Sequence, residues 1–310
     1  MVGIREQLSA RSGVAPFRRR RAGEARRRWG AVVFLLPALT VYVAFVVYPL
    51  ARSIDYSFYA WDGLGPARWV GMANYREIFE SPLLLSSIAN ALRLIVFFSF
   101  VPVTVGLGLT ALIARGIGRA LSVYRLVFFV PYVIPMVATG IIWRWMYNPD
   151  GVVNQVLGLG GLGDITRAWL GDFDYALVAV GLVGSWTLSG FCMMLFLAGA
   201  QRIDGHLYEA AVLDGAGPWW QFRAVTMPGL RREISVALVV TTIAALASFD
   251  LVYVTTNGGP GNTTVVPGLL AYRLAFSQQK VGLAAALTVV LTMLVIGVVS
   301  VVRFVSRDRT

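Results

Sequence analysis

Among the 310 residues of this chain there is one cysteine, one histidine and one lysine. A lone Cys192 excludes an internal disulfide, and with a lone His206 it excludes a zinc cluster or a two-histidine metal site. The only lysine, Lys280, precedes Val281, so the phosphate-cradling loop that ends in Lys-Ser or Lys-Thr is missing. A standard ATPase is thereby excluded. Charge is also scarce, at 14% of residues against roughly 25% in soluble domains, while 57% are hydrophobic. The class this composition points to is a multi-span, all-α integral membrane protein.

Apolar runs of about 20 residues, enough to cross about 30 Å of hydrocarbon, occur near 29–50, 87–113, 124–146, 175–200, 234–255 and 283–303. Six transmembrane helices are therefore expected. The third run carries Pro131, Pro135 and Arg144, which a spanning helix tolerates where neighbours re-satisfy the freed backbone. Two polar tails flank a six-span domain of residues 29–305, a basic one at 1–28 and a short one at 306–310. Nineteen basic residues lie on the side of the two termini, nine of them in the first 28 residues, and six on the other. By the positive-inside rule both termini are expected in the cytoplasm. The net charge of +11 then reflects topology, not nucleic-acid binding. A short apolar core followed by a small-residue cleavage site is lacking, so no cleaved signal peptide is expected.

Against this background the stretch Tyr208 to Pro228 is polar and patterned, within a loop of 201–233 between the fourth and fifth runs. Asp204 suits an N-cap, and 205–213 reads as a helix with Leu207, Ala210 and Ala211 on one face. Asp214 and Gly215 stop it, glycine adopting a left-handed cap without strain. Pro218 opens a second short helix that Pro228 and Gly229 end, and Trp219, Trp220 and Phe222 are free to anchor a partner. Such a helix–turn–helix is not expected to stay bare in water.

The order Glu209-Ala210-Ala211, Gly215, Val225, Met227-Pro228 resembles the EAA signature of membrane subunits of binding-protein-dependent ABC importers, with Val225 and Met227 where Ile and Leu are usual. Phe249-Asp250, Thr256 to Pro260, Tyr272, Ala275-Phe276 and Gly282 resemble the carbohydrate branch. Tyr48-Pro49, Ser57-Phe58, Trp61, Gly71, Asn74-Tyr75 and Asn148-Pro149 with Gly151 and Asn154 extend the likeness to the first permease of the heterodimeric maltose and glycerol-3-phosphate type. The similarity covers about 30–305. It implies a multi-pass protein of the bacterial cytoplasmic (inner) membrane, embedded in lipid and free of enzyme activity. It further implies a second, homologous permease, two ATP-binding subunits that hold ATP and Mg, and an extracytoplasmic solute-binding protein delivering a carbohydrate. No cofactor is expected on this chain. Glu209, Ala210, Ala211, Asp214, Gly215 and Pro228 would form the coupling helix and turn seated in the ATPase.

For the transport path, Gly184, Thr187, Leu188 and Phe191 fall on one stripe of the fourth run, and Thr241, Ala245 and Ser248 on one stripe of the fifth. Hydroxyls and a flat apolar ring suit a sugar. Small and hydroxyl residues equally serve ordinary helix packing. Asp250, a costly carboxylate near bilayer depth, is expected either to pair, with Arg93 or a partner-chain group, or to touch the sugar. The alternative of an ion-coupled secondary transporter or channel would call for intramembrane acids beyond Asp250 or a filter motif.

Overall fold

The computed structural model describes residues 34–113 and 119–307, so the tail of 1–28 lies outside the described residues. The chain divides into two compact units, 1–52 and 53–310. In the first unit the described residues belong to one helix, α1, which begins at Phe34 and runs to Tyr56. A π-helical turn at Val43–Val47 interrupts its regular winding.

The second unit begins with a small hairpin in which β1 (Tyr59–Ala60) pairs antiparallel with β2 (Arg68–Trp69). Asp62 shapes the turn by accepting the N–H groups of Leu64 and Gly65 at 2.9 and 2.8 Å. Those donors, Gly65 foremost, hold its carboxyl below the ordinary aspartate value. A short helix, α2, follows at Ala73–Glu80. Asn74 fastens it to the hairpin, donating to the carbonyls of Ser57 and Tyr59 at 2.8 and 2.9 Å.

Among the described residues four helices are long and apolar enough to cross a bilayer: α1, α3 (Pro82–Leu112), α7 (Ala176–Ala200) and α13 (Val281–Phe304). The third run is not one straight helix. It forms α4 (Arg119–Val133) and α5 (Met136–Met146), and the pair is bent by 100°. Pro135 causes the break, because it lacks an N–H and pushes the residue before it out of helical geometry. It stands as the N-cap of α5 at φ −53° and ψ 136°. Counting the bent pair as one gives five candidate spans.

The fifth run departs further from expectation. Its helix α10 stops at Leu246 (Arg231–Leu246), and a new helix, α11 (Asp250–Thr255), starts after Phe249, whose φ of −140° and ψ of −59° lie off the helix. The gap admits another backbone: a Cβ on Gly268 would lie 3.3 Å from the Ser248 carbonyl oxygen, so α12 (Pro267–Tyr272) packs close beside it. Between the bent pair and α7, α6 (Val152–Leu159) forms a cap. There the Asn154 amide donates to the carbonyls of Pro149 and Arg167 and accepts from the Trp169 indole at 2.7 Å.

The core lies where α3, α7, α10, α11 and α12 meet, with Phe98, Val183, Ala245, Leu251 and Leu269 inside. In lipid, apolar side chains gain little by leaving the solvent, so helix contacts rest on close packing. Small residues on α7 supply it. A Cβ on Gly184 would lie 2.2 Å from the Phe98 ring, a distance no side chain tolerates.

Candidate functional site

Residues 201–233 fold as the local chemistry dictates. The Asp204 side chain caps α8 (Gly205–Leu213) by accepting the His206 N–H at 3.0 Å. Such a cap contributes about 1 kcal/mol. At the other end Ala216 N–H bonds to the Ala211 carbonyl at 2.8 Å and Gly215 N–H to that of Val212 at 3.0 Å. This is a Schellman stop, and it needs the φ of +77° that Gly215 adopts. Any other residue there would cost roughly 1–2 kcal/mol. Gly217 then caps α9 (Pro218–Gln221), and the winding continues through a π-helical turn to Gly229. The Tyr208 hydroxyl and Thr226 Oγ1, 3.0 Å apart, hold the two helices together.

The element is braced from within and bare outside. Leu207, Leu213, Trp219 and Trp220 are all more than half exposed, Leu213 at 88%. Ala210 is exposed and Ala211 half-buried, so the face expected to carry Leu207, Ala210 and Ala211 turns its last member inward. Glu209, exposed, faces His206 at 3.3 Å. Asp214 is exposed and Pro228 half-buried.

The stripes of the fourth and fifth runs are closed by packing. Gly184 lies under the Phe98 ring. Thr187 is buried and its hydroxyl turns back to the Val183 carbonyl at 3.0 Å; Leu188 belongs to the core. Phe191, half-buried, stacks on Tyr132 with centroids 5.1 Å apart. On α10, Ala245 is fully buried, and Thr241 donates toward Ser99 Oγ at 2.7 Å, which ties α10 to α3. Ser248, in the gap after α10, is buried with no partner for its hydroxyl. Asp250 is exposed at the first turn of α11. It forms no pair with Arg93, whose guanidinium donates instead to Asn90 at 3.2 Å.

Two groupings did not show in the sequence. Beside Asp250 the rings of Phe249, Tyr253, Tyr272 and Phe276 form a ladder with steps of 5.3, 5.8 and 5.2 Å. Their separation in sequence hid it. Thr139 and Trp143, one turn apart on α5, each bury a polar atom with no partner, as Ser248 does. Trp143 also packs edge-on against Trp186 at 5.4 Å. A polar residue followed one turn later by an aromatic inside an apolar run was the available signal. No cluster of three or more His, Cys, Asp or Glu residues able to hold a metal ion lies among the described residues.

Comparison with known proteins accords with this arrangement. Residues 91–309 match the family model described as "Binding-protein-dependent transport system inner membrane component". The probable ABC transporter permease protein YurN of Bacillus subtilis is 36% identical over 261 residues, which cover 83% of this chain and 89% of that protein. The diacetylchitobiose uptake system permease protein NgcF of Streptomyces coelicolor is 36% identical over 307 residues, 93% of this chain and 87% of its own length. A solved bacterial ABC transporter involved in the import of the acidic polysaccharide alginate shares the fold, with a TM-score of 0.78 at 22% identity, over 93% of this chain and 99% of that one. The chain thus belongs to the binding-protein-dependent transport system inner membrane components, as a multi-pass permease subunit of an ABC transporter that is not itself catalytic.

Proposed function

We propose that this permease is the first of two non-identical membrane subunits of an ATP-driven carbohydrate importer. Residues 29–305 form its membrane domain, with six spans and both termini in the cytoplasm, between tails of 1–28 and 306–310. Supporting six spans, α10 and α11 together carry the fifth apolar run across a break, and the bent α4–α5 pair carries the third. Nineteen basic residues against six support the orientation. The carbohydrate reading is supported by relatives named for diacetylchitobiose uptake and alginate import.

The observation that carries the mechanism is the coupling element, a rigidly stopped helix presenting Leu207, Leu213, Trp219 and Trp220 to a missing partner. Seated in an ATPase groove, it would pass nucleotide-driven closure to the spans as alternating access. Glu209, Ala210, Ala211, Asp214 and Gly215 shape the seated helix and its stop, and Pro228 closes the element. ATP and Mg sit on the two ATPase subunits. An extracytoplasmic binding protein delivers the sugar, which passes Thr187, Phe191, Thr241, Ser248 and Asp250, with Gly184, Leu188 and Ala245 shaping the same helix faces. For sugar to pass, the close packing of Gly184 on Phe98 would have to open.

The test uses the complete transporter in proteoliposomes with sugar-loaded binding protein, offering diacetylchitobiose, maltose and lactose. One of them is imported. Glu209→Ala and Gly215→Val leave the subunit in the membrane but lower sugar-stimulated ATP hydrolysis at least tenfold, or about 1.4 kcal/mol of coupling. Wild-type hydrolysis in both variants refutes the coupling role.

A further inference from the structure

A recess of about 780 Å³ opens between the outer half of α3, the start of α7 and the loop around Asn262. Its size is that of a small-molecule site, which typically runs to about 300–1,000 Å³. Its depth relative to the membrane follows from helix contacts. Ser185 donates to the Phe97 carbonyl at 2.5 Å, and the Phe97 ring occupies the place of a Cβ on Gly181 at 2.5 Å. Farther along, Gly106 meets Cys192 in the same way, so α3 and α7 run side by side in one direction. Arg93, one turn before Phe97, is thus level with the first turn of α7. From there α3 continues to Leu83, about 15 Å farther at 1.5 Å per residue. Inward, the recess ends at Val96 and Phe97, only about 5 Å below Arg93. The rest of the lining, Pro82, Leu83, Ser86, Phe173 and the 261–263 loop, lies on the side of that level where α7 begins.

The lining is specific in chemistry. Arg93 and Asp174 both border the recess, and neither makes an ion pair with a described residue. The recess thus offers one guanidinium and one carboxylate, a donor group and an acceptor group. Arg93 is held in place: it donates to Asn90 Oδ1, and the Asn90 amide is pinned to the carbonyls of Thr263 and Val265 at 2.8 and 3.0 Å. Asn90 itself is 2% exposed. Phe173, 66% exposed, is braced against Gly261, where a Cβ would come within 2.8 Å. A fixed guanidinium, a carboxylate and two aromatic faces, those of Phe97 and Phe173, match the paired hydroxyls and the flat C–H face of a sugar ring.

We propose that this recess is an extracytoplasmic vestibule that holds an extended, uncharged saccharide before it enters the membrane path. The inference rests on the carbohydrate-import reading and its orientation. Phe173 stacks on the saccharide, and Arg93 and Asp174 bind its hydroxyls.

The test places a single reactive thiol in the vestibule. Cys192, the only native cysteine, is buried, so Ser86→Cys in a Cys192→Ala chain offers one thiol on the recess wall. Thr263→Cys serves if the first variant does not assemble. The complete transporter in proteoliposomes is labelled from outside with a membrane-impermeant maleimide, with and without whichever of diacetylchitobiose, maltose and lactose is imported. At twice its dissociation constant the imported sugar slows labelling about threefold. Phe173→Ala or Arg93→Gln abolishes that protection while leaving the rate without sugar unchanged. Import without protection overturns the vestibule. Protection by sugar-free binding protein alone overturns it in favour of a docked protein segment. Import of none of the three sugars overturns the carbohydrate reading instead, and the vestibule with it.

Discussion

The 201–233 loop and the stripes of α7 and α10 stand in opposite states. The loop satisfies its backbone and caps internally and leaves Leu207, Leu213, Trp219 and Trp220 bare. The stripes hide Thr187, Leu188, Thr241 and Ala245 almost completely. An exposed apolar face on a stiff element is a site awaiting a partner. Closely packed glycine and threonine between helices make a joint that must reopen to pass anything. On the proposed function, the difference would separate where force enters this subunit from where it does its work.

Three changes would break or sharpen the contrast. The largest effect is expected from Gly184→Leu, since even a Cβ there would meet the Phe98 ring at 2.2 Å. Overpacking of this kind costs about 1–3 kcal/mol or more. Detergent-solubilised protein should lose its monodisperse peak and melt lower; unchanged melting would show that the stripe is not a packed joint. Next in size, Leu213→Asp with Trp219→Ser should leave the melting temperature within a degree or two, yet cut ATPase co-purification about tenfold. Full co-purification would mean that the bare face is not the docking surface. The smallest effect belongs to Ser248→Ala. Removing a buried hydroxyl that has no partner should not lower stability, while sugar uptake falls a few-fold if this residue lines the path. Uptake at the wild-type rate would leave Ser248 a packing residue only.

Much of the loop was legible in the letters because its determinants are local. Asp204 caps and Gly215 stops α8 at the residues their chemistry indicated. The apolar runs also mapped closely onto helices at Ala176–Ala200 and Val281–Phe304. The break in the third run had a visible cause in Pro135, though its 100° bend did not. That in the fifth did not show at all. Ala247, Ser248 and Phe249 include neither proline nor glycine, and α10 ends there so that α12 can approach the Ser248 backbone. For Asp250, sequence left open a pairing with Arg93, one with a partner-chain group, or contact with the sugar; the structure gives Arg93 to Asn90 and sets Asp250 beside an aromatic ladder assembled from two helices.

By itself the sequence determined the class, the apolar runs and the coupling motif, because each depends on composition or on residues within a turn or two of one another. Only the tertiary structure decided where the fifth run breaks, which stripes are closed, and that Arg93, Phe173 and Asn262 share one recess. Those outcomes depend on contacts between residues far apart in the chain, and no local pattern encodes the distance between two helices.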